Sequence, residues 1–208
     1  MAGAVAGQVA NPKARARWCP IGRDRDSTNR LRFSSPCAST GMFGICGARR
    51  CFRAIAACFE TSLGRFGLRL IEFSVLGNHL HLIVEADDTA SLSRGMQGLS
   101  VRIAKALNRV MGARGRVFAD HYHARLLRTP TELVNAIAYV LGNSAHHYGG
   151  ESGSDPFSSA NCDRELLLGK PRSWLLRAGW RRAARTTPQR TRSYLAALPE
   201  AARFGLAA

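Results

Sequence analysis

Two short alternating segments set the terms for this fold. Leu68-Arg69-Leu70-Ile71-Glu72-Phe73-Ser74-Val75 has the two-residue period of a strand, and His79-Leu80-His81-Leu82-Ile83-Val84-Glu85 repeats it after the turn Leu76-Gly77-Asn78. An antiparallel hairpin follows. Strand side chains alternate, so His79, His81, Ile83 and Glu85 point one way and Leu80, Leu82 and Val84 the other. Two imidazoles two apart on one strand face are either a chelate for a metal ion or a pair of core or edge histidines satisfied by hydrogen bonds.

Helical periods flank the hairpin. Over residues 48–66, Phe52, Ile55, Ala56, Phe59 and Leu63 recur at helical spacing. Over residues 91–111, Met96, Leu99, Ile103, Leu107 and Val110 form one stripe, with Arg94, Arg102, Lys105 and Arg109 largely off it. The loop around Arg114 and Arg116 leads into residues 117–128, where a further strand is expected near Arg125-Leu126-Leu127-Arg128. Thr129-Pro130-Thr131-Glu132 is a capping box with proline at the first helical position, which starts a third helix running to about residue 144.

That helix has two faces. Leu133, Ile137, Val140, Leu141 and Ser144 make the apolar stripe, while Asn135, Tyr139, Asn143 and His146 or His147 fall elsewhere at spacings of three and four. Tyr139 and Asn143 therefore project side by side. Taken alone, they read as a rim tyrosine and an asparagine near a helix end. Beside a His-x-His strand and a basic exterior, a tyrosine, two imidazoles and an amide are the parts needed for metal-assisted phosphodiester cleavage. His121, His123, His146 and His147 are further candidates, for proton relay.

Charge points to the partner. Thirty Lys and Arg against fourteen Asp and Glu leave a net charge of +16, a field that attracts polyanions, with nucleic acid the first expectation. Arg94, Arg102, Arg114, Arg116, Arg125, Arg128, Arg177 and Arg181 are the candidate DNA contacts. The chain has no apolar run of about 18 residues and no export signal, so a cytoplasmic protein without membrane contact is expected. No C-x-x-C pair occurs, which argues against structural zinc held by cysteine. The phosphate loop G-x-x-x-x-G-K-[ST] is missing as well, in keeping with chemistry that needs no nucleoside triphosphate.

Four ordered blocks carry a resemblance. Residues 75–85, Leu92-Ser93-Arg94-Gly95-Met96-Gln97-Gly98-Leu99, Val117-Phe118-Ala119-Asp120-His121-Tyr122-His123 and Ala138-Tyr139-Val140-Leu141-Gly142-Asn143 resemble the single-tyrosine HUH transposases. The nearest group is the REP-associated tyrosine transposases, which are similar to the transposases of single-strand insertion sequences. The resemblance spans residues 48–150. It implies an α+β, ferredoxin-like fold, an antiparallel sheet with helices on one face. It also implies hairpin-bearing single-stranded DNA as substrate, a 5′-phosphotyrosine intermediate, and magnesium or manganese as cofactor. By position, Tyr139 is then the nucleophile, His79 and His81 the histidines of the motif, and Asn143 the third metal ligand. Ligand softness alone would also admit zinc, iron or nickel.

The ends depart from this pattern. Residues 1–45 read as an irregular or disordered arm, residues 46–150 as the catalytic domain, and residues 151–208 as a linker and basic extension. A ferredoxin-like sheet needs a first strand at its centre, and only residues 41–46 offer one, weakened by two glycines. Without that strand its neighbours would be unpaired, so the alternative is a catalytically degenerate protein that binds single-stranded or hairpin DNA. A metal site serving hydrolysis or structure without DNA is a third reading, which the net charge disfavours. In the extension, eight basic residues and no acidic one lie between Lys170 and Arg192, with Trp174 and Trp180 among them. This stretch is either a single-strand grip or a solvated basic helix whose tryptophans dock on the domain. A monomer or a homodimer fits equally.

Overall fold

The computed structural model describes residues 26–32, 45–77, 79–118, 121–148 and 155–186. Its strands are β1 (Asp26–Arg32), β2 (Leu68–Val75), β3 (His79–Ala86) and β4 (His123–Leu126). Its helices are α1 (Ile45–Glu60), α2 (Thr89–Met111), α3 (Pro130–Tyr148), a short α4 (Arg164–Leu167), and α5 (Trp180–Thr186), which continues a π turn at Leu175–Gly179. The sheet order is β2-β3-β1-β4, with every neighbouring pair antiparallel. Two βαβ units interleave in this way in a ferredoxin-like α+β fold.

β1 corrects the reading of the N-terminus. The expected candidate at residues 41–46 is no strand where it is described: Ile45 and Cys46 open α1, and residues 41–44 lie outside the described residues. The central position is taken instead by Asp26–Arg32, inside the stretch expected to be irregular. It pairs with β3 from Asp26↔Glu85 to Arg32↔His79 and with β4 from Ser27↔Leu126 to Arg30↔His123. The ladders on both sides satisfy its backbone groups, and the sheet has no gap beside the histidine strand.

A bulge in β2 sorts its side chains. The register with β3 shifts between Leu70 and Glu72, so Ile71 is the extra residue. Strict alternation would have put Glu72 and Ser74 on the face of Leu68 and Leu70. With the bulge, Leu68, Leu70, Phe73 and Val75 all join Leu80, Leu82 and Val84 in one core, against Cys51, Ile55 and Phe59 of α1 and Met96, Leu99, Ile103 and Leu107 of α2. Gly95 lets α2 lie close on the sheet, since a Cβ there would sit 2.5 Å from the Cβ of Leu68.

The opposite face is covered too. Ile71 and Ile83 pack with Leu133, Ile137, Val140 and Leu141 of α3 and with Leu175 and Leu176. Helices on one face thus holds for α1 and α2 only; α3 forms a third layer, because β3 is buried along its whole length on both faces. The capping box forms as read: the Glu132 N–H donates to Thr129 Oγ1 at 3.2 Å, and the N–H groups of Thr129 and Arg128 donate to Glu132 Oε2 at 3.2 and 2.8 Å.

The segment read as a linker is part of the fold. The Val75 N–H donates to the Phe157 carbonyl at 3.0 Å, the Phe73 N–H to Ser159 Oγ at 3.1 Å, and the Gly169 N–H to the Leu70 carbonyl at 2.7 Å. These bonds cover the outer edge of β2. Glu85 fixes the next element: its carboxylate accepts from the N–H groups of Arg172 and Ser173 at 2.8 and 2.5 Å and pairs with Arg69 Nε at 2.7 Å. Arg69 also pairs with Asp87 at 2.8 Å; burial works against its charge, but the two carboxylates outweigh that and raise its pKa. Among the described residues, no helix is long and apolar enough to cross a membrane.

Candidate active site

β3 and α3 together build the site. His79 and His81 are buried, 2% and 4% exposed, on the face of β3 turned toward α3. Their ring centroids are 5.0 Å apart and nearly perpendicular, at 84°. Tyr139 reaches His81 from the third turn of α3. Its ring meets His81 edge-on at 5.2 Å and 87°, while 49% of the residue is exposed to solvent. Three side chains separated by up to sixty residues therefore form one row, buried at the imidazole end and open at the phenol.

The other tyrosine with described side-chain contacts differs. Tyr122 packs against the α1/α2 core, and burial pushes its pKa up. Among the described residues Tyr139 is the tyrosine beside the histidines.

Two imidazoles on one strand, with rings 5.0 Å apart, suit a chelate in which both nitrogens lie about 2.1 Å from one cation. No group of three or more His, Cys, Asp or Glu side chains gathers for a metal among the described residues. Asn143 lies one turn beyond Tyr139 on α3, where its side chain falls outside the described residues, as do the side chains of His146 and His147. His121 and His123 are exposed, His123 on β4.

The neighbouring strands set further residues beside the histidines in register. On one side of His81 stands Ser74, its register partner on β2, which donates to Asp155 Oδ2 at 2.8 Å. Asp155 is 3% exposed, and burial pushes its carboxyl above the ordinary range, partly offset by the Phe157 N–H and the Ser74 hydroxyl. Next to it, the Ser159 hydroxyl donates to the buried Glu72 carboxylate. On the other side, Arg30 and Arg32 of β1 are the register partners of His81 and His79. Sequence reading missed all of these. Asp155 sat in an apparent linker, and Arg30 and Arg32 in an apparent arm.

The eight candidate DNA-contacting arginines do not form one patch. Arg94 and Arg102 lie on α2, across the sheet from Tyr139. Arg114 and Arg116 are exposed in the following loop, where Arg116 Nε also donates to the Phe118 carbonyl at 2.7 Å. Arg125 on β4 is exposed and 3.7 Å from Glu132; Arg128 is exposed just before α3. Arg177 and Arg181 are exposed on the C-terminal helix packed beside α3. The two tail tryptophans separate: Trp180 packs partly buried against the α3 core, while Trp174 is 54% exposed under the Arg182 guanidinium at 5.1 Å.

No family model and no curated protein matches the chain. Among solved structures, it is similar to a REP-associated tyrosine transposase bound to a REP hairpin, with a TM-score of 0.44 and 13% identity, over 61% of this chain and 70% of that one.

Proposed function

We propose that this chain cleaves and rejoins single-stranded DNA bearing a hairpin, with Tyr139 as the nucleophile. The observation that carries the reading is the series His79-His81-Tyr139, in which a half-exposed phenol ring meets one buried imidazole that itself lies against a second. A binding surface needs no such series, and the net charge of +16 selects a polyanionic substrate.

Tyr139 sheds its phenolic proton as its oxygen attacks. Its exposure lets solvent take that proton. The phenolic oxygen forms a bond to phosphorus as the bond to the 3′-oxygen breaks. The products are a 5′-phosphotyrosine and a 3′-hydroxyl, which takes up a proton. Rejoining reverses the step with an incoming 3′-hydroxyl. Because the ester bond is exchanged, no triphosphate is consumed. Magnesium or manganese held by His79, His81 and Asn143 would neutralise charge on the phosphate oxygens. The edge contact with His81 restrains the Tyr139 ring at the mouth of the site. The reading carries a monomer or homodimer working in the cytoplasm.

The test uses purified protein, end-labelled hairpin oligonucleotides with varied flanks, and Mg²⁺ or Mn²⁺. A band that survives denaturing electrophoresis, needs the metal and is lost in Tyr139→Phe is the expected result. A native-gel shift with no covalent band across the whole panel would reduce the protein to a DNA-binding module.

A further inference from the structure

We propose that Phe66 is a base-stacking platform in a second single-stranded nucleic-acid contact, on the side of the sheet away from Tyr139. The inference rests on the DNA reading above and extends it to a surface that no candidate residue of the cleavage row touches.

The turn after α1 is unusual in its backbone. Gly64 and Gly67 have φ of 67° and 69°, which glycine adopts freely, but Phe66 between them has φ 57° and ψ 21°. An L side chain rarely adopts that conformation, least of all a bulky one. Burial does not compensate, for Phe66 remains 46% exposed. Strain held at an exposed aromatic is the kind of outlier that marks a contact site.

The surroundings are built for a polyanion carrying flat bases. The ring lies over α2 at Gly98, where a Cβ would sit 3.3 Å from the ring and 3.8 Å from a guanidinium nitrogen of Arg102. Arg102 Nη1 is itself held by Ser62 Oγ at 3.0 Å. From the preceding position the Arg65 guanidinium lies 5.7 Å from the ring centroid. One exposed ring thus has two arginines beside it, and Arg94 and Lys105 are exposed along the same helix. Aromatic faces next to guanidinium groups grip single strands by stacking and phosphate contact without reading sequence. Since α1 and α2 cover one face of the sheet and α3 the other, a strand at Phe66 is a different stretch from the one at Tyr139.

Fluorescence anisotropy of the full chain with labelled oligothymidine, over a salt series, tests this. Phe66→Ala is expected to weaken binding about five- to hundredfold. Phe66→Trp should bind as tightly as wild type or more so, and Phe66→Gly, which relieves the turn, should weaken binding without lowering Tm. Equal affinity of wild type and Phe66→Ala would overturn the proposal and leave the cleavage reading standing. Equal displacement of the oligonucleotide from both proteins by polyglutamate, with no difference in affinity, would mark the face as a general anion surface and likewise overturn it. Failure of the wild type to bind any oligonucleotide would overturn both.

Discussion

Tyr139 and His81 meet through ring edges, and the contact divides labour between them. Tyr139→Phe removes one half-exposed hydroxyl and keeps the ring, so stability should stay within about 0.5 kcal/mol of wild type while the covalent product disappears. His81→Ala should behave otherwise. It empties a site that is 4% exposed beneath the tyrosine and should lower stability by about 1–3 kcal/mol as well as abolishing the product, readable by urea denaturation. Asp155 invites a pH experiment. Its folded pKa is raised by burial, so its contribution to stability is fully present below the unfolded value of about 3.9 and is lost as pH rises through the higher folded value. Asp155→Asn should therefore flatten the fall in Tm on going from about pH 4 to neutrality; an unchanged profile would show that the carboxyl is not the group responsible. Of these residues the histidines and Tyr139 were legible, because strand and helix periods are local. Asp155 was not, since Ser-Gly-Ser-Asp-Pro composition reads as linker and its partner Ser74 lies 81 positions away.

At the scale of elements, the capping box shows sequence and structure agreeing in detail. Thr129→Ala should cost about 0.5–2 kcal/mol by loosening the start of α3, the helix that carries Tyr139. Glu132 gives this cap a pH signature: hydrogen bonds from the Arg128 and Thr129 N–H groups lower its pKa, so its stabilisation is present above the unfolded value of about 4.3 and is lost as pH falls through the folded value. Gly95→Val should cost more than the cap, about 1–3 kcal/mol, because α2 must rise off Leu68. β1 was the element least visible in the sequence. Asp-Ser-Thr-Asn-Arg-Leu-Arg has little strand propensity, and it is a strand because β3 and β4 pair with it from both sides. The β2 bulge was equally hidden, since only the three-dimensional register reveals that Glu72 and Ser74 must leave the α1/α2 core.

In the whole molecule, the C-terminal part is built into both cores of the fold. Leu167 and Leu168 join the α1/α2 core, Leu175 and Leu176 join the α3 core, and Glu85 of the histidine strand caps their approach. Truncation after Asn161 should therefore lower Tm sharply, where a loose extension would leave it unchanged. The net charge predicts a steep salt dependence, with log affinity for a single strand falling linearly in log salt at about −0.7 per neutralised phosphate. Peptide mass spectrometry of the protein after incubation with a hairpin oligonucleotide and Mg²⁺ or Mn²⁺ tests Tyr139 as the nucleophile. The expected result is a nucleotide joined through a phosphodiester to the peptide containing Tyr139, with the released fragment ending in a 3′-hydroxyl. A nucleotide on any other residue, or cleavage with no protein-linked product, would contradict it.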